Sequence, residues 1–159
     1  MITNFYDFAN LENMGGCYEL FNFIPANVIN VMPKYDAGKY SSDLTFQSGS
    51  DWLTGRSLHK SISFSDEQIT NGNGSFYAIK IVGFVPKLTY QYLHLFNEMS
   101  SQKFVIKITD NNGNILIFGT KKEPLSFKFS RTSEQSPVGL AGHKFEFYAN
   151  AAIPGTFLI

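Results

Sequence analysis

Along most of this chain apolar and polar residues alternate, the period-two pattern of half-buried β-strands. Tyr18, Leu20, Phe21, Phe23 and Ile24 form a first strand that Pro25 stops, and Val28, Ile29 and Val31 a second that Pro33 stops. Leu58 to Phe64 alternates cleanly, with Ile62 and Phe64 on one face and Ser61, Ser63 and Ser65 on the other. Asn71-Gly72-Asn73-Gly74 is a strong turn signal. Ser75 to Val85 then makes a long strand that is apolar on both faces, which requires a central position or a contact with another subunit. Phe104, Ile106 and Ile108 alternate with Lys103, Val105, Lys107 and Thr109. A tight turn at Asp110 to Asn114 leads into the return strand Ile115 to Gly119. Leu125, Phe127 and Phe129 mark another strand, Arg131 to Gly142 a polar loop, and His143 to Tyr148 the last strand.

Two stretches break the pattern. After Pro86, Leu88, Tyr92, Leu95, Phe96 and Met99 fall on one helical face, which predicts a single amphipathic helix over about 87–100. Residues 34–57, rich in Ser, Gly, Asp and Thr, read as a long loop or extended arm that carries Leu44, Phe46 and the only tryptophan, Trp52. A loop of that length with large apolar residues needs a surface to pack on. Residues 149–159 form a tail ending in Phe157, Leu158 and Ile159, which should dock on its own domain or on a neighbour. The expected fold is one mainly-β domain over 1–159, a β-sandwich or barrel of seven to eight strands with one flanking helix.

Composition changes this picture little but narrows function. The chain has 159 residues, and thirteen Lys and Arg balance thirteen Asp and Glu, so a dedicated nucleic-acid binder is disfavoured. Charged residues are 16% of the chain against about 25% in typical domains. Aromatics reach 16%, with 16 Phe and 8 Tyr. Surface in need of cover is therefore expected. One cysteine, Cys17, excludes an intrachain disulfide. No Lys or Arg precedes Lys34, so a signal peptide's basic start is missing, and no apolar run approaches a membrane span. Retention in the cytosol, or export by another route, follows as the expectation. Asn73-Gly74-Ser75 matches a glycosylation sequon only formally.

Motifs for chemistry are sparse. His59, His94 and His143 show no metal-binding spacing, and nucleophile-elbow, Walker and dinucleotide-binding motifs are absent. Asp110, Asn112 and Asn114 match the start of a calcium loop, but Ile115 and Lys121 stand where Gly and Glu are needed. No catalytic residue, metal ligand or cofactor is assigned, and the chain reads as a non-enzyme. Trp52, Tyr35 and Tyr40 could instead form a stacking platform for sugars, which makes a carbohydrate-binding β-sandwich module the alternative reading.

The order of elements from Ile62 onward resembles that of uncharacterised virion proteins of Bacteroidetes phages and prophages. The resemblance covers about residues 58–159. It rests on the long strand ending in Pro86-Lys87, a short helix and Lys103-Phe104-Val105-Ile106. It continues through Asp110-Asn111-Asn112-Gly113-Asn114, Phe118-Gly119, Glu123-Pro124-Leu125 and Gly142-His143-Lys144-Phe145-Glu146-Phe147. It implies a structural component of the tail or neck, assembled in the host cytoplasm, with a fold like that of tail-tube proteins. Such proteins form homo-oligomeric rings, commonly hexameric, that stack on other tail or neck proteins. A lumen that passes the genome needs no sequence-specific nucleic-acid contact, and no membrane partner is implied. Trp52, Leu44, Phe46, Phe157, Leu158 and Ile159 are the interface residues expected on this reading.

Overall fold

A computed structural model describes residues 2, 4, 17–59, 61–133, 135, 139 and 141–159. Twelve strands and one α-helix are described, so the mainly-β expectation holds while the strand count rises from seven or eight. The strands are β1 (Leu20–Pro25), β2 (Ile29–Val31), β3 (Lys39–Tyr40), β4 (Thr45–Phe46), β5 (Leu53–Arg56) and β6 (Ser63–Asn71). They continue with β7 (Gly74–Pro86), β8 (Lys103–Thr109), β9 (Ile115–Phe118), β10 (Leu125–Ser133), β11 (Ala141–Ala151) and β12 (Thr156–Leu158). Helix α1 spans Tyr90–Ser100.

β8 organises the fold. One of its edges bonds β1, pairing Phe23 with Ile106. The other edge is divided: Lys103 and Phe104 pair with β10, and Ile106 to Thr109 with β9. Two layers diverge from this split. The first runs β10-β11-β7-β6, all antiparallel. The second runs β5-β1-β8-β9-β12-β3, antiparallel except for β12 and β3. The layers fold face to face. β1 and β11 lie three strand spacings apart along the sheet, about 14 Å if it were flat. The Phe21 and Phe145 rings are nevertheless 5.7 Å apart. Phe64 of β6 meets Phe118 of β9 at 4.9 Å. Among the described residues the path of strands ends at β6 and β3 and does not close into a barrel.

The core between the layers is aromatic: Phe21, Phe23, Phe104, Phe118, Phe145 and Phe147 are all at or below 1% exposure. Tilted and edge-on ring pairs dominate it, each worth about 0.5–1.5 kcal/mol beyond burial. The doubly apolar β7 is central, between β6 and β11.

Helix α1 starts later than its apolar pattern predicts. Lys87 adopts a positive φ of 70°, and Thr89 caps the helix by accepting a bond from the Tyr92 amide. Leu88 therefore lies before the helix and is exposed. Leu95, Phe96 and Met99 bury the helix against the sheet, with Phe96 against Phe127 at 5.3 Å.

A second core lies on the opposite face of the second layer. Ile24, Val105 and Ile117 point away from the first core and are covered by Ile29, Tyr40 and Leu44. Residues 34–57 are thus not a free arm: β3 and β5 are end strands of the second layer, and Leu44, Phe46 and Trp52 between them roof it. The 149–159 tail is also structured. β11 runs on to Ala151, and β12 inserts between β9 and β3. The Gly155 amide donates to Asp66 and the Ala152 amide to Glu123.

Candidate functional site

Most of the interface residues expected from sequence are spent inside the chain. Leu44 is buried in the second core, with Phe46, Trp52 and Leu158 packed against it. Phe46 meets the Trp52 ring edge-on at 5.3 Å. The Lys107 ammonium lies 4.5 Å over the Trp52 ring and 2.8 Å from Asp43, whose carboxylate also accepts the indole N–H at 3.3 Å. Phe157 and Ile159 stay exposed at 43% and 81%. The surface that the large apolar residues of 34–57 need is supplied within the chain, by the second layer. Of the three aromatic residues considered for a sugar platform, Tyr35 is exposed. Tyr40 is 1% exposed, and one face of Trp52 is taken by Lys107.

The three histidines have three different surroundings. His94 is exposed on α1, with Nε2 3.9 Å from Glu98. His59 Nδ1 meets Glu19 at 2.9 Å, and Arg56 donates to the other oxygen of that carboxylate through Nε at 3.2 Å and Nη2 at 2.9 Å. This ion cluster joins the approach to β1 to the corner after β5. Among the described residues no group of three or more His, Cys, Asp or Glu could hold a metal. Asp110 accepts from the Asn112 and Asn114 amides and from Asn114 Nδ2, so it organises a hairpin turn. These bonds hold its carboxyl below the usual range.

His143 is fully buried, and neither ring nitrogen has a hydrogen-bond partner among the described residues. Phe96, Tyr92 and Phe129 surround it, and Arg131 stands opposite it on β10. Burial first, and then the Arg131 charge, lower its pKa. The folded state holds it neutral, while the unfolded chain takes up a proton near pH 6.5. Stability from this site is thus complete above pH 6.5 and falls as the pH drops below it, by up to about 1.4 kcal/mol per pH unit. Urea unfolding at pH 7.5 and 5.0 measures that loss. The His143→Phe variant is expected to lose less stability over the same interval, and an identical loss would refute this assignment.

No family model, curated protein or solved structure matches this chain. The surfaces themselves must therefore indicate function, and the two layers differ sharply. The second layer's outer face is roofed. Among the described residues the first layer's outer face has no such roof: it displays Ser65 and Glu67 of β6 and Lys80 and Val82 of β7, with Phe84 beside them buried. It continues with Lys144, Glu146 and Tyr148 of β11 and Ser126, Lys128 and Ser130 of β10. Glu146 sits centrally, 3.9 Å from Lys80 and 3.5 Å from Lys128, and the Lys128 ammonium lies 4.8 Å over the Tyr148 ring.

Both edges of this layer also lack a further strand among the described residues, with α1 packed beside β10 through Phe96. β6 bonds only β7, through nine residues in unbroken register. It contains no proline, lysine or bulge, and Asp66 and Glu67 are the charges that guard it. Beyond the Tyr77–Ala151 pair the β6–β7 hairpin projects without a third strand. β10 pairs β8 only through Leu125 and Ser126, and from Phe127 onward β11 is its one strand neighbour. Sequence reasoning missed these edges because pairing is a long-range property. The Asn-Gly turn and the absence of Pro and Lys from 63–71 were the available signals.

Proposed function

We propose that this protein is an architectural subunit of a phage tail or neck, acting by self-association into a ring that stacks on other virion components. The sequence resemblance supplies the virion setting. The observation that carries the self-association is the pair of open edges at opposite ends of the first layer. β6 carries Asp66 and Glu67 and no base, whereas β10 carries Lys128 and Arg131 and no acid. Pairing β6 with β6 would gather like charges, which is unfavourable. Pairing β6 of one copy with β10 of the next joins opposite charges and continues the antiparallel alternation of the layer. Such a contact is heterologous, so it closes into a ring or grows into a filament according to the rotation per subunit. An isolated two-stranded hairpin is marginal in water, so a projecting β6–β7 end gains from a neighbouring strand.

Glu67 and Lys128 lie on the same, outer face of the layer. The protein is expected to sediment as an oligomer. Glu67→Lys should shift it toward monomer, and adding Lys128→Glu in the same chain should restore assembly. Light scattering after gel filtration and electron microscopy of stained particles provide the readouts. A wild-type protein that stays monomeric at about 100 μM, well above the concentrations at which specific interfaces form, overturns the self-association. An oligomer indifferent to both substitutions overturns the β6–β10 contact.

A further inference from the structure

The open face of the first layer contains a cavity of about 500 Å³. That lies within the range of about 300–1,000 Å³ seen for small-molecule sites. Its construction is specific. Phe84 points to this outer face, yet it is only 8% exposed. Gly142 leaves room for its ring: a Cβ there would come within 2.7 Å of Phe84 Cζ. The chain then crosses from the second layer to the first beside it. The Leu58 amide donates to the Phe84 carbonyl at 2.7 Å, and the Phe84 amide donates to Ser57 Oγ at 2.9 Å. Leu58 and Ser61 make one wall, and Val82, Gly83 and Phe84 make the floor.

The rim has the opposite character. Lys80, Lys128 and Lys144 line it with one carboxylate, Glu146. Glu146 is shared by Lys80 and Lys128, and among the described residues Lys144 has no ion-pair partner. The local charge is thus three positive against one negative, on a protein with no net charge. An apolar floor under a cationic rim suits a ligand with an apolar body and an anionic head. A polynucleotide fits worse, because Glu146 lies in the middle of the face and Glu67 farther along it would meet its phosphates.

We propose that this cavity binds a small amphiphilic carboxylate of medium chain length, with its tail over Val82 and Phe84 beside Leu58 and its head at Lys144. The inference does not depend on ring assembly: Lys128, Phe129 and Ser130 of the edge strand β10 line one side of the cavity, but its floor and Lys144 belong to β7 and β11. Decanoate serves as the probe, followed by calorimetry and by amide shifts in two-dimensional NMR. Saturable binding is expected at one site, with shifts centred on Val82, Gly83, Phe84 and Lys144. Lys144→Glu should weaken it by about tenfold, the effect of reversing one partly exposed charge contact, with the thermal melt unchanged. Val82→Glu should weaken it further by placing a carboxylate on the floor. The proposal is overturned if decanoate fails to bind up to about 2 mM, where even weak specific ligands register. It is also overturned if a neutral glucoside of equal chain length binds as well, if Lys144→Glu changes nothing, or if an acidic peptide without an apolar residue displaces the probe.

Discussion

Replacing Gly83 with alanine is expected to destabilise the protein by about 3 kcal/mol, the upper range for overpacking a core. Gly83 lies within β7, directly opposite Phe145 of β11. Glycine inside a strand is unfavourable unless something uses the space it leaves. Here the Phe145 ring lies over it: a Cβ would stand 2.3 Å from Phe145 Cζ, 2.9 Å from Cε1 and 2.8 Å from Ser57 Oγ. Phe145 cannot yield, because it is fully buried with Phe21, Phe96, Phe127 and Phe147 around it. Urea denaturation measures the loss. In a Phe145→Leu background, which removes the clashing ring atoms, the cost of Gly83→Ala should fall below about 1 kcal/mol, since neighbouring changes are not additive. An equal cost in both backgrounds would show that the ring is not the cause.

Glu19→Ala is expected to cost about 3 kcal/mol, the lower end for removing one partner of a buried ion pair. The Glu19, Arg56 and His59 side chains are only 9%, 13% and 19% exposed, so water does little to replace the lost carboxylate. The same residue ties down backbone, as the Ser57 amide donates to the Glu19 carbonyl at 2.9 Å. Glu19→Gln keeps the shape and one acceptor and should cost less. The double variant Glu19→Leu/Arg56→Met replaces the pair by apolar groups and should recover part of the loss, because exchanging a buried ion pair for packed apolar side chains costs less than deleting one partner. Chemical denaturation of the four proteins checks this order. A Glu19→Ala variant as stable as the parent would mean that the cluster is ornamental.

Local rules made several elements legible. Asn71 to Gly74 and Asp110 to Asn114 are turns in the structure, with Gly74 and Gly113 at positive φ. Phe145 and Phe147, spaced by two, do face the core. The helical face of Leu95, Phe96 and Met99 is buried, but its start was placed three residues early because Pro86 still belongs to β7. The stretch 34–57 misled for a physical reason. Its strands are two to four residues long, too short for any periodicity to show, and its apolar residues are spaced to roof another layer.

The candidate sites were far less visible. Lys80, Lys128 and Lys144 are separated by 48 and 16 positions, and only the pairing of β7, β11 and β10 brings them to one rim. Val82 and Phe84 look like ordinary core residues in sequence, yet they face outward.

By itself, then, the chain's alternation determined a β protein with one helix, because side-chain direction in a strand depends only on neighbouring residues. Which apolar residues would be hidden by the chain's own folding, and which face and edges would stay open, was decided by how distant strands pair. That choice turned Trp52, Leu44 and Leu158 inward and left the β6–β10 layer uncovered. Strand order is a sum over contacts far apart in sequence, so no local pattern carries it.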